Sequence, residues 1–175
     1  MDTKSRSSTI PALDSGMDGS ERWLRVVSLT VIGALVLAAT TGLLGVRTGE
    51  VTAAGGGYTM TVWYSEMTRP GLATPFSVEV RPDSGELPPS VTVRVSSPYL
   101  ALFDDNGLEP TPTESYNTPE WTWWTFDVPP GSEVLRVDLD ARLEPAVQYG
   151  ETATAAIEVD GQQVVSADFT TGVAP

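Results

Sequence analysis

The chain contains no cysteine and no histidine, and only one of its ten basic residues is a lysine. Without cysteine there is no disulfide framework, no thiolate metal site and no cysteine nucleophile. Without histidine the usual neutral-pH general base and the commonest metal ligand are missing. No glycine-rich phosphate loop, G-x-S-x-G elbow or S-x-x-K motif takes their place. The expectation is a protein that is not an enzyme and holds neither a metal nor a cofactor.

Positive charge is scarce in a patterned way. Residues 1–25 carry Lys4, Arg6, Arg22 and Arg25 against Asp2, Asp14, Asp18 and Glu21 and sum to zero. The whole net charge of −13 therefore falls later, where six arginines face nineteen acids. Such a surface repels phosphate backbones, so no nucleic-acid partner is expected. The acidity itself serves solubility.

Charge is absent altogether from Val26 to Val46, a run of twenty-one residues of which eleven are Val, Leu or Ile. As a helix this run would be about 32 Å long, against a hydrocarbon core of roughly 30 Å. Arg22, Arg25 and Trp23 mark one boundary and Arg47 the other, which is how membrane helices end. The segment 22–47 is read as a transmembrane signal-anchor. Four basic residues precede it and only Arg47 follows closely, so the N-terminus is expected in the cytoplasm and the C-terminus outside, at the plasma membrane. Val51-Thr52-Ala53 before Ala54 offers a small-residue cleavage site, but it lies beyond a run longer than a signal core. Thr30, Ala34, Ala38 and Gly42 recur every four residues and would let a second helix pack closely.

Residues 1–21 are polar and aperiodic and read as a disordered cytoplasmic tail. Residues 48–57, ending in Gly55-Gly56-Gly57, read as a flexible linker reaching about 18 Å. From Tyr58 to residue 175 the pattern alternates with period two. Tyr58, Met60, Val62 and Tyr64 share a strand face, as do Phe76, Val78 and Val80, then Val91, Val93 and Val95. Leu135 to Leu143 alternate with Arg136, Asp138, Asp140 and Arg142. Segments 153–159 and 164–170 flank Asp160-Gly161, a hairpin signal. Seven or eight short strands of this kind predict an all-β two-sheet sandwich. A turn is expected at Asp104–Gly107 and a Pro/Thr-rich loop from there through Pro119.

The spacing Leu143-x-Pro145-x-x-x-Tyr149, between two strands, resembles the tyrosine corner of immunoglobulin-like and fibronectin type III domains. The resemblance implies an Ig-like β-sandwich without the Cys…Trp…Cys signature. A short tail, one helix and an acidic Ig-like domain together resemble the single-pass, membrane-anchored proteins of high-GC bacteria, which implies no particular activity.

Two groups of side chains bear on chemistry. Asp104, Asp105 and Asn106, with Glu109 and Glu114 nearby, offer oxygen atoms, but the spacing is not that of an EF-hand. Asp138 and Asp140 share a strand face with Arg136 and Arg142 and read as a solvated salt-bridged strip rather than a glycosidase pair. The tryptophans are more suggestive. In Trp121-Thr122-Trp123-Trp124-Thr125-Phe126, alternation sends Trp124, Phe126 and Val128 to the core and Trp121 and Trp123 outward. With Trp63 they are expected to form an exposed aromatic platform. The function expected from these features is that of an anchored accessory protein whose β-domain docks on another membrane or envelope protein. The alternative is a cell-wall glycan-binding module that uses the tryptophans.

Overall fold

A computed structural model describes residues 19–40 and 46–174. They form two compact units, the first within residues 1–44 and the second from Gly45 onward. In the first unit, α1 (Gly19–Thr40) carries Arg22–Thr40, a stretch long and apolar enough to cross a membrane. Its described side chains are almost all exposed, so they fill no protein core of their own. Helix α1 begins inside the stretch expected as tail. Gly42 of the small-residue stripe lies outside the described residues, and Thr30 turns its hydroxyl back onto the Val26 carbonyl.

The second unit is mostly β. Overall 57% of the structure is strand, arranged as one curled sheet. In chain order the strands are β1 (Arg47–Gly55), β2 (Tyr58–Thr68), β3 (Ala73–Pro82), β4 (Ser90–Ser96), β5 (Phe103–Glu109), β6 (Glu114–Asn117), β7 (Trp121–Asp127), β8 (Leu135–Leu143), β9 (Glu151–Val159) and β10 (Gln162–Val173). A short helix α2 (Ser97–Leu100) joins β4 to β5. The strands are ordered β5-β8-β3-β2-β10-β9-β4-β7-β6, with β1 paired to β2.

Only Gly172–Val173 of β10 pair with Met67–Thr68 of β2, in parallel, and this short contact joins two antiparallel halves. β5 and β6 end the sheet without pairing to each other, so the sheet closes as a half-barrel rather than as two separate layers. That is the first correction to the expected sandwich.

Burial follows the period-two pattern. In β8 every second residue from Leu135 to Leu143 is buried and every intervening one exposed. Register lines these up across the first half, with Val62 opposite Val78 and Val78 opposite Val137. In the second half Val93 stands between Ile157 and Trp124. The inner faces of both halves meet in one hydrophobic cluster. At its centre Tyr99 of α2 is fully buried against Phe76, Phe103 and Phe169, with ring centroids 5.0–5.6 Å away. Asp160 and Gly161, at φ 52° and 73°, make the expected β9–β10 hairpin turn.

Four further expectations are corrected. Residues 48–57 are no tether: β1 occupies Arg47–Gly55 and pairs along β2 as far as Gly55–Tyr58. The small side chains that suggested flexibility make room for neighbours. A Cβ on Gly49 would stand 2.8 Å from the Tyr64 ring. Asp104–Gly107 is no turn but part of β5, with Asn106 as the extra residue of a bulge between Asp105 and Gly107. The expected Pro/Thr-rich loop contains β6, which folds onto β7 about Pro119-Glu120. Tyr149 is 62% exposed, so the seven-residue spacing does not build a buried tyrosine corner.

Candidate functional site

The structure separates the three tryptophans. Trp63 stands on the outer face of the first half, where its indole N–H donates to Glu50 Oε2 at 2.9 Å. The Arg136 guanidinium lies 5.0 Å from its ring. Trp121 and Trp123 stand on the outer face of the second half, across the core from Trp63. A three-tryptophan platform is therefore not formed. Alternation placed each side chain on the right face of its strand, but it carries no information about which strands become neighbours.

What forms instead is a strip across β6, β7 and β4. Tyr116 on β6 pairs in register with Trp123, which pairs in turn with Arg94 on β4. The Tyr116 and Trp123 rings lie 5.4 Å apart, and Tyr116 is 65% exposed. The Arg94 guanidinium covers Trp121 at 4.3 Å. Arg94 is held from the other side by β9 and β10: one amino group bonds Glu158 at 2.9 Å and the other bonds Gln163. Its buried Nε has no partner. This clamp fixes a cation and an indole in one geometry at the centre of the face, with Tyr116 and Trp123 free to meet a ligand.

A shallow depression of about 450 Å³ lies beside those two rings, lined by Glu114, Ser115, Tyr116, Trp123 and Thr125. A second cleft, of about 470 Å³, opens between the free edges β5 and β6, where Leu108 lies beside Leu139 and Ser115 beside Trp124. Tyr116 and Arg94 were not legible as site residues. The one usable signal was the symmetry of Tyr116 and Trp123 about Pro119-Glu120, closed by the Thr118 N–H on the Trp121 carbonyl.

Asp138 and Asp140 are both exposed, and Asp138 takes Arg136 Nε on both oxygens at 3.1 Å. Among the described residues no three His, Cys, Asp or Glu side chains converge as a metal site would require.

No family model matches this chain, and no curated protein matches it. Among solved structures it is similar to the Pseudomonas fluorescens alkylpurine DNA glycosylase AlkC bound to DNA containing an abasic site analog. The identity is 11%, over 74% of this chain and 32% of that one, with a TM-score of 0.29. This chain thus spans about a third of the matched one. The comparison is with an enzyme, so the expectation of a chain without catalytic activity is withdrawn. At that TM-score the likeness carries neither the fold nor the chemistry of the glycosylase to this protein.

Proposed function

We propose that this is a single-pass membrane protein that docks on another membrane or envelope protein through the outer face of β6, β7 and β4. The observation that carries the reading is the strip Tyr116–Trp123–Trp121–Arg94. Tyr, Trp and Arg dominate binding energy at protein interfaces because they offer large contact area and directional donors at low entropic cost. Here two of the aromatics are exposed or half-exposed and a salt-bridged arginine steadies the third.

The membrane part of the reading rests on the length and composition of Arg22–Thr40 and on the basic residues before it, with the N-terminus cytoplasmic and the β unit outside. Cleavage after Ala53 is disfavoured, because Ala53 is paired with Met60 and the cut would strip most of β1 from the sheet. The Ig-like reading of the β unit draws on strand order. β2-β3-β8-β5 runs as A-B-E-D does in that fold, and β10-β9-β4 runs as G-F-C. The departure is that β5, in the D position, precedes β6 and β7 in the chain.

The docking test is chemical crosslinking in native membranes. Wild type is expected to give a discrete crosslinked adduct, whose yield falls about tenfold or more in Trp123→Ala and Tyr116→Ala. Val134→Ala, at an exposed site away from the strip, should leave it intact. Equal yields in all four proteins would sink the reading.

The depression beside Tyr116 and Trp123 favours one second reading, a glycan-binding module. Its hydroxyls and the Glu114 carboxylate stand next to rings on which a sugar would stack. On that reading Trp121→Ala and Trp123→Ala abolish retention on isolated cell walls, while wild type that is never retained rules it out.

A further inference from the structure

We infer that the end of the β unit at which Arg47 begins β1 rests on the lipid surface, with Met67, Leu72 and Tyr149 in the headgroup region. The inference rests on the membrane reading of α1. It follows first from the loss of the expected tether. With β1 starting at Arg47, only residues 41–46 separate it from Thr40, a span of at most about 25 Å even when fully extended. If the uncharged run crosses the bilayer, the first strand starts at the headgroups and no spacer holds the domain away from them.

The second observation is what stands at that end. Register places Arg47 opposite Met67, and Met67 opposite Gly172. Leu72 leads into Ala73, which pairs with Arg142 at the end of β8, and Tyr149 shortly precedes Glu151, which pairs with Thr171. All of these share one end of the sheet. Six large apolar side chains are exposed on the described part of this unit, and four of them, Val46, Met67, Leu72 and Tyr149, belong to this end. Leu72 is 43% and Met67 38% exposed. The other two, Tyr116 and Val134, stand elsewhere.

These side chains sit on a preformed surface. The Gly71 N–H bonds the Leu143 carbonyl, the Leu143 N–H bonds the Leu72 carbonyl, and the Ala174 N–H bonds the Thr68 carbonyl, at 2.9–3.0 Å. Between them lies an apolar hollow of about 300 Å³ lined by Pro70, Gln148, Val173 and Ala174. A tyrosine and long aliphatic side chains beside Arg47 and Arg69 are the composition of a membrane–water boundary, where the rings sit at headgroup level and the guanidinium groups reach phosphate. Glu66, Glu144 and Glu151 stand at the same end, so a zwitterionic surface suits it and anionic lipid brings no gain. A weak contact is enough, because the anchor already holds the domain at high effective concentration.

The absence of cysteine makes a direct test available. The full chain is reconstituted in phosphatidylcholine vesicles with a single nitroxide at Leu72→Cys, Tyr149→Cys, Val134→Cys or Leu35→Cys. Accessibility to oxygen and to a water-soluble nickel chelate is then compared. Labels at positions 72 and 149 are expected to be about threefold or more less accessible to nickel than the label at 134, with oxygen accessibility raised toward that of the label at 35. If positions 72 and 149 match 134 while 35 is immersed in lipid, the lipid contact is refuted and the anchor stands. Shielding from both reagents at 72 and 149 also refutes it, since protein rather than lipid then covers them. A label at 35 that is open to nickel overturns the membrane reading and this inference with it.

Discussion

Truncating Tyr99 to alanine should destabilise the β unit by about 3–5 kcal/mol, the range for removing a buried aromatic. The magnitude follows from its position. Tyr99 is fully buried, and its ring is shared by Phe76 and Phe103 from the first half and by Phe169 from the second. Strand pairing joins the halves at only two parallel residue pairs, so packing of the two inner faces around this ring carries much of the rest and its loss loosens both at once. Denaturant unfolding of the reconstituted chain, followed by near-ultraviolet circular dichroism, measures the cost. A change below about 1 kcal/mol would mean that the aromatic cluster does not hold the halves together.

Tyr99→Phe separates the ring from its hydroxyl. The Thr171 hydroxyl donates to Tyr99 Oη at 3.3 Å, and losing this acceptor should cost about 1 kcal/mol. The alkaline behaviour is the sharper signature. Burial is the main cause that pushes the Tyr99 phenol up to about 12 from an ordinary value of 10.0, against the opposing effect of the Thr171 bond. The folded state then keeps its proton where the unfolded state has lost it. Stability from this group is intact below pH 10 and falls as pH rises from about 10 to about 12, by roughly 2–3 kcal/mol at the upper end. In Tyr99→Phe that part of the slope should vanish. An unchanged slope would show that other groups cause the alkaline loss.

How much of this was legible in the sequence depended on whether local pattern or tertiary neighbours decided the outcome. Strands β3, β4 and β8 were readable because alternating Val, Leu and Phe can bury one face only when extended. The same logic sent Trp124 and Phe126 inward and Trp121 and Trp123 outward. It failed wherever a neighbour made the decision. β6 has four residues, no alternation and prolines on both sides, and it is a strand because β7 folds back onto it. Asn106-Gly107 is a strong turn signal, yet β8 supplies a ladder long enough to keep both residues in a bulged strand. By alternation with Val93 and Val95, Arg94 is one more polar residue on an outer face. Its importance comes from Trp121, Glu158 and Gln163, which arrive from three other strands. Which half of the sheet a strand joins is a non-local property, and that is why the Trp63 platform was misplaced.

The Gly55-Gly56-Gly57 segment gives the most direct way to separate the strand from the expected tether. In a tether, replacing all three glycines by alanine would change stability by a few tenths of a kcal/mol and would, if anything, stiffen the chain. In the hairpin, each replacement meets a specific obstacle. A Cβ on Gly55 would lie 2.6 Å from the Val164 carbonyl oxygen, which is backbone and cannot swing aside. On Gly56 it would lie 2.8 Å from the Val164 Cβ, at a φ of 58°. Gly57 has open space but a φ of 84°. Two left-handed positions cost about 1–2 kcal/mol each for a residue with a side chain, and the crowding at Val164 adds about 1–3 kcal/mol. The triple variant should therefore lose about 3–7 kcal/mol, and proteolysis should open the chain between β1 and β2 first. The Gly57→Ala variant alone isolates the backbone contribution and should cost about 1–2 kcal/mol. If the triple variant unfolds at the same denaturant concentration as wild type, β1 is not part of the folded sheet. The close approach of the β unit to the lipid surface would then lose its main support.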